Sequence, residues 1–265
     1  KRAYDPIIQM YSGIADVQGQ KRGEGPEQVN QLLMDKLTAY TGFQAVTAAL
    51  YAREKSGVGQ HIELSMLDTA VAFLWPDVGA DNILQGDDID HHPAIRAAGI
   101  VVQLVDGWGA IMTLSDPEFA GLCRALSLTA LAADSRFNTL QGRQQHRLVY
   151  VDVVRDAVAA ATQGMSLAEI TKKLDAEHVP FAHARSLDDL PSDPQIQANG
   201  LFYERTHPVA GRMREVRPAP VFSGTPTSPG GFGPTIGQDT RDILMEAGLA
   251  ADLEQLLQDG IVGQA

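Results

Sequence analysis

The feature that most constrains this sequence is the run from Leu37 to about Glu54. There Leu37, Ala45, Ala48, Ala49 and Ala52 are interleaved with Tyr40, Phe43, Val46 and Leu50, and no proline interrupts the helical spacing. These residues predict one long, largely buried helix that Ser56-Gly57 brings to a stop. Just ahead of it, Asp35 follows the apolar run Leu32-Leu33-Met34, which sets a carboxylate near the helix's positive end. On spacing alone, that acid reads as an ordinary N-cap.

The pattern continues with a turn at Gly59, a short strand His61–Leu64, and Ser65-Met66-Leu67-Asp68, which has the form of a capping box opening a helix toward Leu74. Helix, strand and helix at this spacing predict α/β organisation. Ahead of them, Asp5-Pro6 marks the start of a short helix, and Gln18–Gln28 reads as a loop. Residues 81–95 lose the pattern and read as a linker, where His91-His92 is expected to be plain surface rather than a metal site. Ile100–Val105 and Gly109–Leu114, joined through Asp106-Gly107, predict a β-hairpin that opens a second unit over 96–207.

In that unit Ser115-Asp116-Pro117-Glu118 starts a helix, a long helix spans about Gln141 to Ala161, and Ser166-Leu167-Ala168-Glu169 is a second capping box. Val179–Ala182 is expected to be extended, Ser192-Asp193-Pro194 to start a short helix, and Leu201–Thr206 to form a strand. From Pro208 to Pro234 there are six prolines and five glycines, so 208–235 reads as a second linker. Residues 236–265 hold an amphipathic helix pair broken at Gly248, and two linkers around a middle unit imply that this pair returns to the first domain, which begins with 1–80.

Composition excludes several functions. A net charge of −12 argues against a nucleic-acid partner, which requires a basic footprint. The charge is uneven: residues 1–55 carry seven basic and six acidic side chains, the remainder 14 and 27, so an anionic ligand is better tolerated by the N-terminal part. The single cysteine, Cys123, precludes an internal disulfide or a cysteine-rich zinc site and fits a reducing, cytoplasmic compartment; it is expected to be a buried small hydrophobe. No apolar run approaches the ~20 residues of a membrane span, so no membrane association is expected. Because the first residue is Lys1 rather than Met, the sequence is expected to be part of a longer polypeptide. No P-loop, G-x-G-x-x-G, G-x-S-x-G or H-E-x-x-H occurs.

Tyr4-Asp5-Pro6 with Ser12-Gly13, Asp35 before its alanine-rich helix, Arg53-Glu54-Lys55-Ser56-Gly57-Val58-Gly59-Gln60 and Glu63-Leu64-Ser65-Met66-Leu67-Asp68 together resemble the class III CoA-transferases, the CaiB/BaiF family. Asp134-Ser135-Arg136-Phe137, Ser192-Asp193-Pro194-Gln195, Thr206-His207-Pro208 and Ile236-Gly237-Gln238-Asp239-Thr240 extend the likeness over nearly the whole chain. The resemblance implies the C-terminal part of that α/β fold. It comprises the remainder of a large Rossmann-like, CoA-binding domain and a smaller α+β domain joined by two linkers, in an interlocked homodimer. The N-terminal Rossmann-like half, which supplies much of the coenzyme A site, then lies outside this sequence.

The resemblance makes Asp35 the nucleophile, attacking an acyl-CoA thioester to give an anhydride and then an aspartyl-CoA thioester that a small carboxylic acid displaces. Backbone N–H groups near Asp35 are expected to hold the developing oxyanion. Tyr4 and Asp5 occupy a family position lining the site, and Lys1 and Arg2 are candidates for the CoA phosphates. Coenzyme A enters as substrate; no permanently bound cofactor and no metal are implied. Two alternatives accompany this reading. One is an α-methylacyl-CoA racemase, against which stand Tyr4 at the racemase histidine position and Asp116 near its glutamate position. The other is an inactive, structural piece that needs the missing half. The glycine-run loop of formyl-CoA transferases is not evident around Ala97-Ala98-Gly99, which counts against formyl or oxalyl substrates.

Overall fold

Pro6 lies in the first turn of α1 (Asp5–Tyr11), where its missing N–H costs nothing, in a computed structural model that describes residues 3–19, 25–86, 88 and 99–263. The short α2 (Ile14–Gly19) follows, then α3 (Leu33–Ser56), α4 (Met66–Val78) and α5 (Ala80–Ile83). α4 begins where the Ser65 hydroxyl accepts the Asp68 N–H at 3.2 Å. α3 ends as expected, with Gly57 at φ 74° and its N–H on the Arg53 carbonyl, a left-handed cap that glycine adopts without strain.

Two expectations for this region fail. α3 is not largely buried: of its 24 residues Met34 alone is buried, while Tyr40 and Phe43 are 72% and 71% exposed. Its apolar residues are spread around the axis, and α1 and α4, which lie against it, cover only part of that circumference. Ile8, Met34 and Ala70 form the shared core of these three helices, with Leu33, Leu37, Met66 and Leu67 packed round it. His61–Leu64 is not a strand, because no described strand pairs with it and a strand exists through its ladder. Of the expected linker 81–95, residues 81–86 and 88 are described, with 81–83 inside α5, while the rest, including His91 and His92, lies outside the described residues, as do Ala97 and Ala98.

The predicted hairpin is present as β1 (Ile100–Leu104) and β2 (Gly107–Ile111), with β3 (Phe181–His183) completing a sheet of order β1-β2-β3. Alternate residues Val102, Leu104, Gly109 and Ile111 are buried, the period-2 signature of a sheet with one covered face. Gly109 is required there, since a Cβ would stand 2.4 Å from the Phe181 ring.

α6 (Asp116–Ala125) opens with a complete capping box in which Ser115 accepts the Glu118 N–H and the Glu118 carboxylate accepts the Ser115 N–H at 2.9 Å. That carboxylate also accepts the Leu114 N–H, and the two backbone bonds hold Glu118 below the usual glutamate range. α7 (Thr129–Ala133) and α8 (Leu140–Gln145) lead to α9 (Arg147–Thr162). The single helix expected from Gln141 to Ala161 is therefore broken at His146, where exposed Gln144, Gln145 and His146 offer no apolar face to hold the turn. Ile111, Phe119, Leu122, Phe137, Val154 and Val158 are buried here. Cys123 is buried as expected, and burial pushes its thiol pKa up.

α10 (Leu167–Ala176) has its own capping contacts between Ser166 and Glu169, and α11 (Pro194–Ala198) is capped by the Asp193 carboxylate. The strand expected at Leu201–Thr206 is β4 (Phe202–His207), and it pairs antiparallel with β5 (Gly211–Val216), a strand inside the segment read as a linker. Composition hid β5 because its support is cross-strand charge: Glu204 stands opposite Arg214 and pairs with Arg212 and Arg214 at 2.8 and 3.0 Å, while Arg205 pairs with Glu215. α12 (Thr240–Glu246) and α13 (Leu253–Gln258) end the chain, with a 3-10 turn at Ala250–Asp252 between them.

By contacts the chain forms two units. One holds Lys1–Val101, Ile111–Ala161 and Leu174–Pro180, the other Val102–Ala110, Thr162–Lys173 and Phe181–Ala265. No described helix is long and apolar enough to cross a membrane. Ser115→Ala is expected to cost about 1 kcal/mol through loss of the α6 cap. Urea unfolding measures this, and an unchanged midpoint would show that the box contributes nothing.

Candidate active site

A helix leaves its first N–H groups without partners, and α3 starts at a residue that cannot help, because its N-cap is Leu32. The missing acceptor comes from α1. Asp5, 1% exposed, lays one carboxylate oxygen against the N–H groups of Met34 and Asp35 at 2.5 and 2.9 Å, across about 30 positions of sequence. Leu33 N–H bonds the Gln31 carbonyl at 2.8 Å, so the first three amides of α3 are all satisfied.

The second Asp5 oxygen accepts from the side-chain amide of Gln9 at 2.6 Å, one turn along the same face of α1. Gln9 is itself 2% exposed and tied down on both ends. Its Nε2 also donates to the Val29 and Gln31 carbonyls at 3.2 and 3.0 Å, and its Oε1 accepts the Val29 N–H at 2.8 Å. The segment entering α3 is thereby fixed to α1 by side chains rather than by a turn of its own. Gln28 adds a bond from its Nε2 to the Pro6 carbonyl at 2.8 Å.

Asp35 is the third residue of α3, so the capping role its spacing predicted falls to Asp5 instead. Its side chain is exposed, and no described residue hydrogen-bonds or pairs with its carboxylate. The amides expected to hold an oxyanion beside it are already committed: those of Met34 and Asp35 to Asp5, and that of Lys36 to the Leu32 carbonyl at 3.3 Å. A groove of about 490 Å³ runs alongside, bounded by Pro6, Gln9, Asn30, Leu32 and Lys36, and Asp35 does not line it. The Lys36 ammonium, at its edge, donates to the Gln31 side chain at 3.1 Å.

Tyr4 immediately precedes Asp5; its carbonyl accepts the N–H groups of Ile7 and Ile8, and the residue is 75% exposed. Lys1 and Arg2 lie outside the described residues. Asp116 sits in the first turn of α6, with its carboxylate 2.8 Å from the guanidinium of Arg143, a residue 4% exposed that also bonds the Phe137 carbonyl. That pairing gives Asp116 a structural task. No group of three His, Cys, Asp or Glu able to hold a metal occurs among the described residues.

Residues 1–240 match CoA-transferase family III. The chain belongs to that family. It is 27% identical to the succinyl-CoA:glutarate CoA-transferase of Mus musculus, over 100% of this chain and 60% of the relative. To the succinate–glutarate CoA-transferase of Agrobacterium fabrum it is also 27% identical, over 92% and 60%. The succinyl-CoA:mesaconate CoA-transferase of Haloarcula marismortui shares 25%, over 97% and 64%. A CaiB/BaiF family protein from Brucella suis superposes with a TM-score of 0.70 at 21% identity, covering 93% of this chain and 63% of that one, which establishes a shared fold of mixed α/β type. The chain thus spans about 60% of the length of the curated relatives it matches.

Sequence reasoning missed Gln9 and the structural task of Asp5. A signal existed: Leu32 cannot cap a helix, so an acceptor had to come from elsewhere, and Asp5 and Gln9 share a face at i, i+4. Gln9→Met, close in volume, is expected to cost about 1–3 kcal/mol by stranding the Val29 N–H and one Asp5 oxygen. Chemical denaturation measures the loss, and a neutral substitution would refute the importance of this network.

Proposed function

We propose that the protein carrying this chain transfers coenzyme A from an acyl-CoA to a small carboxylic acid, with Asp35 as the nucleophile. One observation carries the reading: in a chain of CoA-transferase family III, an exposed and unengaged carboxylate stands on the first turn of a helix whose amides are capped by a different acid. Donors of the succinyl-CoA class are the first candidates, because relatives from mouse, Agrobacterium and Haloarcula are CoA-transferases with succinyl-CoA or succinate in their names.

In this reading an Asp35 oxygen attacks the thioester carbonyl, the C–S bond breaks, and CoA leaves as thiolate with a mixed anhydride on Asp35. The thiolate then attacks the Asp35 carbonyl carbon and expels the donor acid as its carboxylate, leaving an aspartyl-CoA thioester. The acceptor carboxylate attacks that thioester and again releases thiolate, which takes the acceptor's acyl group and restores the Asp35 carboxylate. Each step passes an electron pair between a carboxylate and the CoA thiolate, so the cycle balances without a proton transfer as long as the thiolate is recaptured before it picks up a proton.

Tyr4 is proposed to contact the CoA ester, in keeping with its exposure beside Asp5, and Lys1 and Arg2 to meet its phosphates. The uncovered apolar surface of α3, with Tyr40, Phe43 and Tyr51 exposed, is proposed to be covered in a homodimer of the whole protein. A racemase reading loses support from Asp116, whose carboxylate is held by Arg143.

The test is incubation of the full-length protein with a panel of acyl-CoAs including succinyl-CoA, trapping with hydroxylamine and mapping of the modified peptide. The expected adduct is on Asp35 and absent from Asp35→Ala. A label on another residue, or one that survives in Asp35→Ala, would contradict the proposal.

A further inference from the structure

The proposed chemistry requires more of Asp35 than exposure. A carboxylate on the first turn of a helix has an alternative partner close by, because its own turn's amides compete for its oxygens whenever they lack another acceptor. In α3 those amides have one. The buried Asp5 carboxylate takes the N–H groups of both Met34 and Asp35, at 2.5 and 2.9 Å.

We infer that Asp5 is a positioning residue for the nucleophile: by occupying the Met34 and Asp35 amides it fixes the Asp35 backbone and keeps the Asp35 carboxylate from turning back onto its own helix. The inference rests on Asp35 being the nucleophile. Three features make Asp5 more than an ordinary cap. It bonds the amide of Asp35 itself, so the bond sets the origin from which that side chain projects. It cannot swivel, because its other oxygen is held by Gln9 at 2.6 Å and Gln9 is anchored at both ends to Val29 and Gln31. And it reaches α3 from another helix, so the nucleophile is referenced to the α1 framework rather than to the loop before it.

A nucleophile released from such a hold is misplaced by ångströms, which costs rate rather than binding. Asp5→Ala frees both amides, and the Asp35 carboxylate on the same turn can then compete for them. Asp5→Asn keeps one acceptor oxygen but sets its NH2 group against the Gln9 amide, two donors facing each other.

The experiment compares wild-type, Asp5→Asn, Asp5→Ala and Asp35→Ala in the full-length protein. It reads kcat, the KM for acyl-CoA, the single-turnover rate of adduct formation at Asp35, and the folded fraction by circular dichroism. The expected result is a fall in kcat and in adduct rate on the order of 100-fold per folded site in Asp5→Ala, a smaller fall in Asp5→Asn, and an unchanged KM in both. A merely structural acid would lower the folded fraction and leave kcat per folded site alone. Wild-type kcat per folded site in either variant overturns the inference, and if Asp5→Ala does not fold, Asp5→Asn decides. The two readings fail separately: an adduct persisting in Asp35→Ala removes the nucleophile, whereas an adduct that requires Asp35 but forms at the wild-type rate without the Asp5 carboxylate removes only the positioning role.

Discussion

The N-terminus of α3 depends on a carboxylate that comes from another helix. Its amides have no capping side chain at Leu32, and burying them unpaired would cost about 1–3 kcal/mol for each group. Asp5 meets two of them, Gln9 holds Asp5 in place, and Gln9 in turn fixes the chain at Val29 and Gln31. One buried polar network therefore sets where α3 begins and how it meets α1, and so where Asp35 stands. Such networks are worth their desolvation cost only when every member is satisfied, and the hydrogen bonds of Asp5 and Gln9 leave no carboxylate or amide group idle.

The same network divides the labour between two acids that the sequence shows side by side with a helix start. Asp5 is buried and acts on the backbone, whereas Asp35 is exposed and its oxygens are engaged by no described residue. Because the amides of Met34 and Asp35 are spent on Asp5, the proposed reaction has to draw oxyanion stabilisation from groups other than these. That fits a chain spanning about 60% of its relatives, with much of the apolar surface of α3 not covered by described residues.

Local rules made much of the fold legible. Ser65, Ser115, Ser166 and Asp193 each start a helix where capping chemistry places them, Pro6 opens α1 from its first turn, and Gly57 ends α3. What stayed hidden is non-local. The burial of α3 depends on neighbours rather than on its own residues, His61–Leu64 lacks a partner to make it a strand, and β5 is held by charge pairs to β4 amid prolines and glycines. Asp35 was legible as an acid at a helix start, but its freedom was not, because that rests on bonds from a residue 30 positions earlier.

The most direct measurement is a crystal structure of the full-length protein with a bound acyl-CoA. The thioester carbonyl carbon is expected about 3–3.5 Å from an Asp35 oxygen, with Asp5 still accepting the Met34 and Asp35 amides. A thioester out of reach of Asp35, or one whose carbonyl oxygen has displaced Asp5 from those amides, would contradict it.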